Sequence, residues 1–179
     1  MIVTPKFLDI EASSLGKKSY PIEIAWSDNF GSIESYLINP YCVSHWDDWS
    51  FSSQQIHGIT RKQCREGGVS PRLICDRMSE SIQSREAIFA DGGEFDTNWV
   101  NVVFAEGSDL GHPEFQVLHS DLVMLPHLQR IESDARKCRG IYEDLKTEAR
   151  KSVGGRHRAE VDVEYLLELY RLCVSMTGI

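Results

Sequence analysis

The chain has 179 residues, 41% of them hydrophobic and 26% charged, which suits one globular domain with a sizeable core. Its net charge of -8 excludes a protein that grips nucleic acid by bulk positive charge; phosphate would have to be met locally, by metals and a few basic residues. Cys42, Cys64, Cys75, Cys138 and Cys173 are odd in number and widely spaced, which argues against a zinc ribbon or a disulfide framework and for reduced thiols in a cytoplasmic protein. No apolar run approaches the ~18 residues of a membrane span. The start lacks the basic-then-apolar pattern of a signal peptide, so neither membrane nor export is expected.

Residues 2–26 begin with an apolar run, Ile2, Val3, Phe7, Leu8 and Ile10, broken by Asp9 and Glu11. The run predicts a buried central strand. Alternate side chains of a strand share a face, so Asp9 and Glu11 point together, away from Leu8 and Ile10. Two carboxylates so placed repel each other unless a cation lies between them. Residues 21–29 and 32–38 predict two more strands. The turn Asp28-Asn29-Phe30-Gly31 between them implies an antiparallel meander, ended by Pro40.

Residues 41–55 are aromatic and irregular, with Tyr41, His45, Trp46, Trp49 and Phe51 closing an edge of the core. A short helix is expected over 54–57, stopped by Gly58. Thr60 caps a second helix that stops at Gly67-Gly68, and Ser70-Pro71 opens a third with Leu73, Ile74 and Met78 at helical spacing. Residues 87–90 read as a short buried strand. After the turn Asp91-Gly92-Gly93 a helix over 94–104 should turn Phe95, Trp99, Val102 and Val103 inward. A strand over 115–118 and a helix over 121–129 follow. Residues 131–151 show a thin stripe, Ile131, Ala135, Cys138, Tyr142 and Leu145, expected of a surface helix. After Ser152-Val153-Gly154-Gly155 the last helix spans 158–176. Basic clusters at Lys17-Lys18, Arg61-Lys62 with Arg65, Arg136-Lys137 with Arg139, and Arg150-Lys151 with Arg156 and Arg158 read as solvated faces. The pattern gives an α/β fold: one mixed five-stranded sheet, three antiparallel strands then two parallel, flanked by helices. Ligands of such sheets collect at the carboxyl ends of the strands, where Asp9 and Glu11 lie.

Two further acids fall at helix starts. Asp96 opens the helix after the fourth strand. Asp162 lies four residues before Leu166, on the inward face of the last helix, where a carboxylate needs a partner. A first-turn acid is also what the helix dipole favours.

The ordered set Asp9-Ile10-Glu11, Phe95-Asp96, and His157 with Asp162 resembles the DEDDh 3′–5′ exonucleases of the RNase H-like superfamily. The segment Ile56-His57-Gly58-Ile59-Thr60 is similar to a His-Gly-Ile-Thr stretch that many members carry. Departures are Asp91-Gly92, where members often have His-Asn, and Ala12-Ser13-Ser14-Leu15 against a commoner Thr-Thr-Gly-Leu. The resemblance covers nearly the whole chain as a single domain. It implies a two-metal phosphodiesterase in which Asp9, Glu11, Asp96 and Asp162 hold two Mg²⁺ or Mn²⁺ ions and His157 is the general base toward water. The substrate would be the 3′ end of single-stranded or overhanging DNA or RNA, and the products nucleoside 5′-monophosphates. It further implies that Ala12 and Leu15 meet the terminal nucleotide, with Phe51, Trp99 and His57 as looser candidates. Related exonucleases are often dimers, which would give the stripe over 131–151 an interface role. Two alternatives stand beside this one: a non-catalytic nucleic-acid-binding module of the same fold, and a phosphodiesterase acting on small nucleotides.

Overall fold

The computed structural model describes residues 3–155 and 157–178; Ile2 and Arg156 lie outside the described residues. The first three strands are β1 (Leu8–Ala12), β2 (Pro21–Ser27) and β3 (Ile33–Leu37), paired antiparallel in the order β1-β2-β3. Every residue of β2 is buried, as a strand paired on both sides and covered on both faces requires. Later come β4 (Ala87–Ala90) and β5 (Gln116–His119), paired parallel. Seven helices complete the described residues: α1 (Phe51–His57), α2 (Arg61–Gly67), α3 (Pro71–Ser81), α4 (Glu94–Gly107), α5 (Asp121–Gln129), α6 (Ala135–Val153) and α7 (Ala159–Ser175). Their starts follow the cap chemistry in the sequence. The Ser50, Thr60, Ser70 and Asp134 side chains each accept a first-turn N–H, and Thr60 with Gln63 completes a capping box.

The strands do not join into one five-stranded sheet. They form a three-stranded antiparallel and a two-stranded parallel sheet, linked by a single parallel bridge between Phe7 and Phe89. There the Phe89 N–H donates to the Lys6 carbonyl at 2.9 Å. β4 is four residues long, and the chain turns at Asp91-Gly92-Gly93 straight into α4, so the pairing ends after one rung. The expected parallel direction is kept; the expected ladder is not.

Strand alternation sorts the interior into two cores. Leu8 and Ile10 of β1 and Ile22 and Ile24 of β2 pack with Ile74 and Met78 of α3 and Val100, Val103 and Phe104 of α4. On the other side, Phe7 and Ala25 pack with Met124, Tyr142, Leu145, Val163 and Leu166 from α5, α6 and α7. Asp9 and Glu11 belong to this second side. In α4 the inward set is Val100, Val103 and Phe104, while Phe95, expected inward, is 52% exposed. The stripe of α6, Cys138, Tyr142, Leu145 and Ala149, is buried against α7 rather than left open for a second subunit. Ile131 lies before the helix and is exposed. No helix among the described residues is long and apolar enough to cross a membrane.

Candidate active site

Three elements bring the acids together. β1 holds Asp9 opposite Ala25 and Glu11 opposite Glu23 across the antiparallel pair. A small residue at Ala25 leaves the space beside Asp9 to α7. The second element is the start of α4. Gly93 begins it with φ 64°, and the Gly92 N–H donates to Asp96 Oδ2 at 2.9 Å. A Cβ at position 92 would collide with that carboxylate, so the turn Asp91-Gly92-Gly93 has a packing reason to carry Gly there. Asp96 is 2% exposed.

The third element is the start of α7. Gly154 and Gly155 both take positive φ, and His157 follows in the left-handed region at φ 57°. A non-glycine residue held there is strained, and such strain persists only where the surroundings fix it. Here the His157 N–H donates to Asp162 Oδ2 at 2.8 Å. Arg150 Nη1 of α6 donates to Asp162 Oδ1 at 2.6 Å. Ligand atoms of Glu11, His157 and Asp162 then lie within 4.8 Å of one another. Asp9 and Asp96 fall outside that tight triad but act on it through charge.

The electrostatics mark the group as crowded. Burial, then Asp96, Asp162, Glu11 and Asp91, hold the Asp9 carboxyl well above its usual range. Burial, then Asp162 and Glu23, push Glu11 up to about 8, with Arg158 opposing. Burial, then Asp91, push Asp96 up to about 7 against the Gly92 N–H. Burial, then Asp162, raise Asp91, which Arg150 and His119 oppose. Asp9 Oδ2 is buried without a hydrogen-bond partner. An unpartnered buried carboxylate oxygen among further acids is a costly arrangement without a cation, and hard oxygen donors suit a divalent one. The donor set therefore fits the metal that the sequence implies.

The candidate substrate residues separate. Ala12, Leu15, His57 and Trp99 line one cleft of about 110 Å³ together with Glu11 and Ile56. Leu15 and Ile56 are largely exposed there. The Trp99 Nε1–H donates to Ser19 Oγ at 3.0 Å, which fixes the indole. His57 is buried; its Nδ1 accepts the Ile59 N–H at 3.0 Å, its Nε2 has no partner, and burial lowers its pKa. Phe51 does not line the cleft. It is 76% exposed at the first position of α1.

Three residues of the site went unread in the sequence. Asp91, taken as a turn residue, is a fifth acid of the group. Arg150, taken as solvated, reaches Asp162. Glu23, 2% exposed, accepts from Arg158 Nε at 3.0 Å and Nη2 at 2.5 Å, and from the Ala159 N–H at 2.9 Å. α7 has no side-chain cap of its own, so Glu23 caps it from β2 and holds the residue after His157. The available signal was a glutamate alone in the apolar run Pro21-Ile22-Glu23-Ile24-Ala25.

No protein-family model matches the chain, and no curated protein matches it in sequence. Solved structures do match. Exonuclease I of E. coli, in its zinc-bound complex with single-stranded DNA, superposes with a TM-score of 0.65 and 15% identity, over 98% of this chain and 41% of that one. Exonuclease I from Methylocaldum szegediense gives 0.62 and 15%, over 93% and 40%. The E. coli enzyme with a dA16 oligonucleotide gives 0.61 and 15%, over 97% and 42%. The chain thus has a fold found in exonuclease I and spans about two fifths of the length of those proteins.

Proposed function

We propose that the chain is a metal-dependent nuclease domain that removes nucleotides from the 3′ end of a single strand and releases nucleoside 5′-monophosphates. One observation carries the reading. Asp9 is fixed on a buried strand with an oxygen that has no partner, and it faces Asp96, Asp162, Glu11 and Asp91. Structural ion pairs do not leave such a group without its counter-charge.

Asp9, Glu11, Asp96 and Asp162 would hold the ions, two Mg²⁺ or Mn²⁺ by the family resemblance. Bound there, such ions stabilise charge on a scissile phosphate and acidify a water. The protein's own groups do the rest. His157 brings a partly exposed imidazole beside Glu11 and Asp162, where it can accept a proton from a water attacking phosphorus. Leu15, Ile56 and Trp99 offer apolar and aromatic surface against which a base can stack irrespective of its identity. The oligonucleotide complexes of exonuclease I make single-stranded DNA the first substrate to assay.

The test is a 5′-labelled single strand incubated with Mg²⁺ or Mn²⁺. The expected product is a ladder shortening from the 3′ end. His157→Ala should lower kcat by about 10²–10⁴-fold while metal binding, read by calorimetry, is retained. Oligonucleotide bound in EDTA but never shortened under any metal would replace this reading with that of a binding module.

A further inference from the structure

We infer that the cationic face of α6 is the track for the substrate strand on the 5′ side of the scissile phosphate. The inference rests on the nuclease reading and adds where the rest of the strand lies. A strand whose 3′-terminal nucleotide sits in a pocket must leave from the far side of the reacting phosphate. The candidate nucleotide cleft includes Ile10 and Trp99, which pack with the first core. α6 packs with the second core. Glu11 lines that cleft and shares a 4.8 Å group of ligand atoms with His157 and Asp162, and Arg150 of α6 reaches Asp162. The far side is therefore α6.

Within α6 itself the cations outnumber the acids, although Asp121 and Asp162 from outside the helix pair with two of them. α6 carries Arg136, Lys137, Arg139, Lys146, Arg150 and Lys151 against Glu143, Asp144 and Glu148, a local surplus of three cations in a protein of net charge -8. Arg139, Lys146 and Arg150 are seven and four residues apart and so share a face about 16 Å long; each also meets one carboxylate, Asp121 at 3.4 Å, Glu143 at 3.3 Å and Asp162 at 2.6 Å, pairs that a phosphate would join or displace. Two hollows run along this face. One of about 370 Å³ is lined by Glu143, Lys146, Thr147, Arg150 and Lys151. The other, about 260 Å³, is shared by Lys146 and Arg139 with Asp91 and His119 of the carboxylate side. Lys146 lines both, which makes the face continuous with the site. Arg150 is held in place, stacked 3.9 Å over the Tyr165 ring. Lys151 has no carboxylate within ion-pair distance among the described residues. Cations aligned in an open groove beside a phosphate-cleaving site match a phosphodiester backbone, which is bound by charge without regard to sequence.

Two charge changes test this and leave Lys146 and Arg150 in place: Lys151→Glu and Thr147→Glu. Both positions are exposed on α6. Binding is read by fluorescence anisotropy of a labelled strand of about 12 nucleotides in Ca²⁺, and turnover is read with a dinucleotide and with the same strand in Mg²⁺. Each variant should weaken binding of the long strand by about fivefold and flatten the logarithmic salt slope by about 0.7 per lost phosphate contact. Dinucleotide turnover should stay within about twofold, since a dinucleotide without a 5′-phosphate has no phosphate beyond the scissile one to lie on the track. Unchanged affinity and salt slope in both variants would overturn the track while leaving the nuclease reading intact. An equal loss with dinucleotide and long strand would also overturn it, because the charge would then act through the catalytic site. A wild-type protein that neither binds nor cuts any strand would reject the nuclease reading itself, and the track with it.

Discussion

The starts of α4 and α7 perform the same task with different counter-charges. Each places an acid in its first turn, where the helix dipole favours it, and aims it at β1. Asp96 receives one backbone N–H, from Gly92, and no side-chain cation among the described residues, so burial and Asp91 push it to about 7. Asp162 receives the His157 N–H and the Arg150 guanidinium. The α4 side therefore has no counter-charge from the protein among the described residues, whereas the α7 side carries one. The two starts also differ in how they are held. Gly92 shapes the first through the absence of a side chain, while Glu23 pins the second through hydrogen bonds from Arg158 and Ala159.

The largest expected effect follows from the bare acid. Asp96→Asn should lower kcat by about 10²–10³-fold, the scale of losing one electrostatic group at a reacting centre. In EDTA at pH 8 the same variant should melt several °C higher than the wild type, because it removes a buried charge that the metal-free protein cannot pair. Asp162→Asn should lower kcat as well but should not raise the melting temperature, since it leaves Arg150 without its partner. If both variants shift the melting temperature alike, the asymmetry between the two helix starts is wrong.

How much of this could be read from the chain follows the range of each interaction. Asp9 and Glu11 were legible because strand alternation is local, and β1 shows it as drawn. The cap at Thr60 and the strand over 87–90 were legible for the same reason. Asp96 and Asp162 were placed at helix starts correctly, but their assembly with β1 came from the resemblance. What escaped depends on partners far along the chain. Glu23 meets Arg158 across 135 residues, and no periodicity reports that. Arg150 sits among charged residues of α6 and differs from them only by facing Asp162. The split sheet escaped because pairing of β1 with β4 is decided by where the chain turns after Ala90, not by either strand's composition.

A change at the pin should have a middle-sized effect. Glu23→Ala removes the acceptor of Arg158 and of the Ala159 N–H, and leaves a half-exposed guanidinium and a helix start without their partner. Stability should fall by about 1–2 kcal/mol, the scale of a lost helix cap, and kcat by about 10–100-fold, the range seen when the support of a site residue is lost, with KM little changed. Glu23→Gln keeps an acceptor for the Ala159 N–H and should recover part of kcat. Equal loss in both variants would mean that the charge on Arg158, not the geometry of the His157 turn, is what matters.

The smallest effect is a pH slope, and it tests the α4 side most directly. Glu11 moves from 4.5 when unfolded to about 8 when folded, and Asp96 from 3.8 to about 7. Between those limits the unfolded chain has released protons that the folded one still holds. The folded state therefore binds more protons, and its stability falls as pH rises, fully present near pH 4 and lost by about pH 8. Divalent ions bind only the ionised carboxylates, so they should oppose this fall, and their stabilisation should grow with pH. Thermal melts at pH 5, 6.5 and 8, in EDTA and in Mn²⁺, read both trends. The gap between the two conditions should widen by a few °C across the series. Asp96→Asn should flatten the EDTA series, because one of the two groups no longer titrates. A gap that stays constant with pH would mean that the ions bind elsewhere, and that the crowding around Asp9 is relieved by protons rather than by metal.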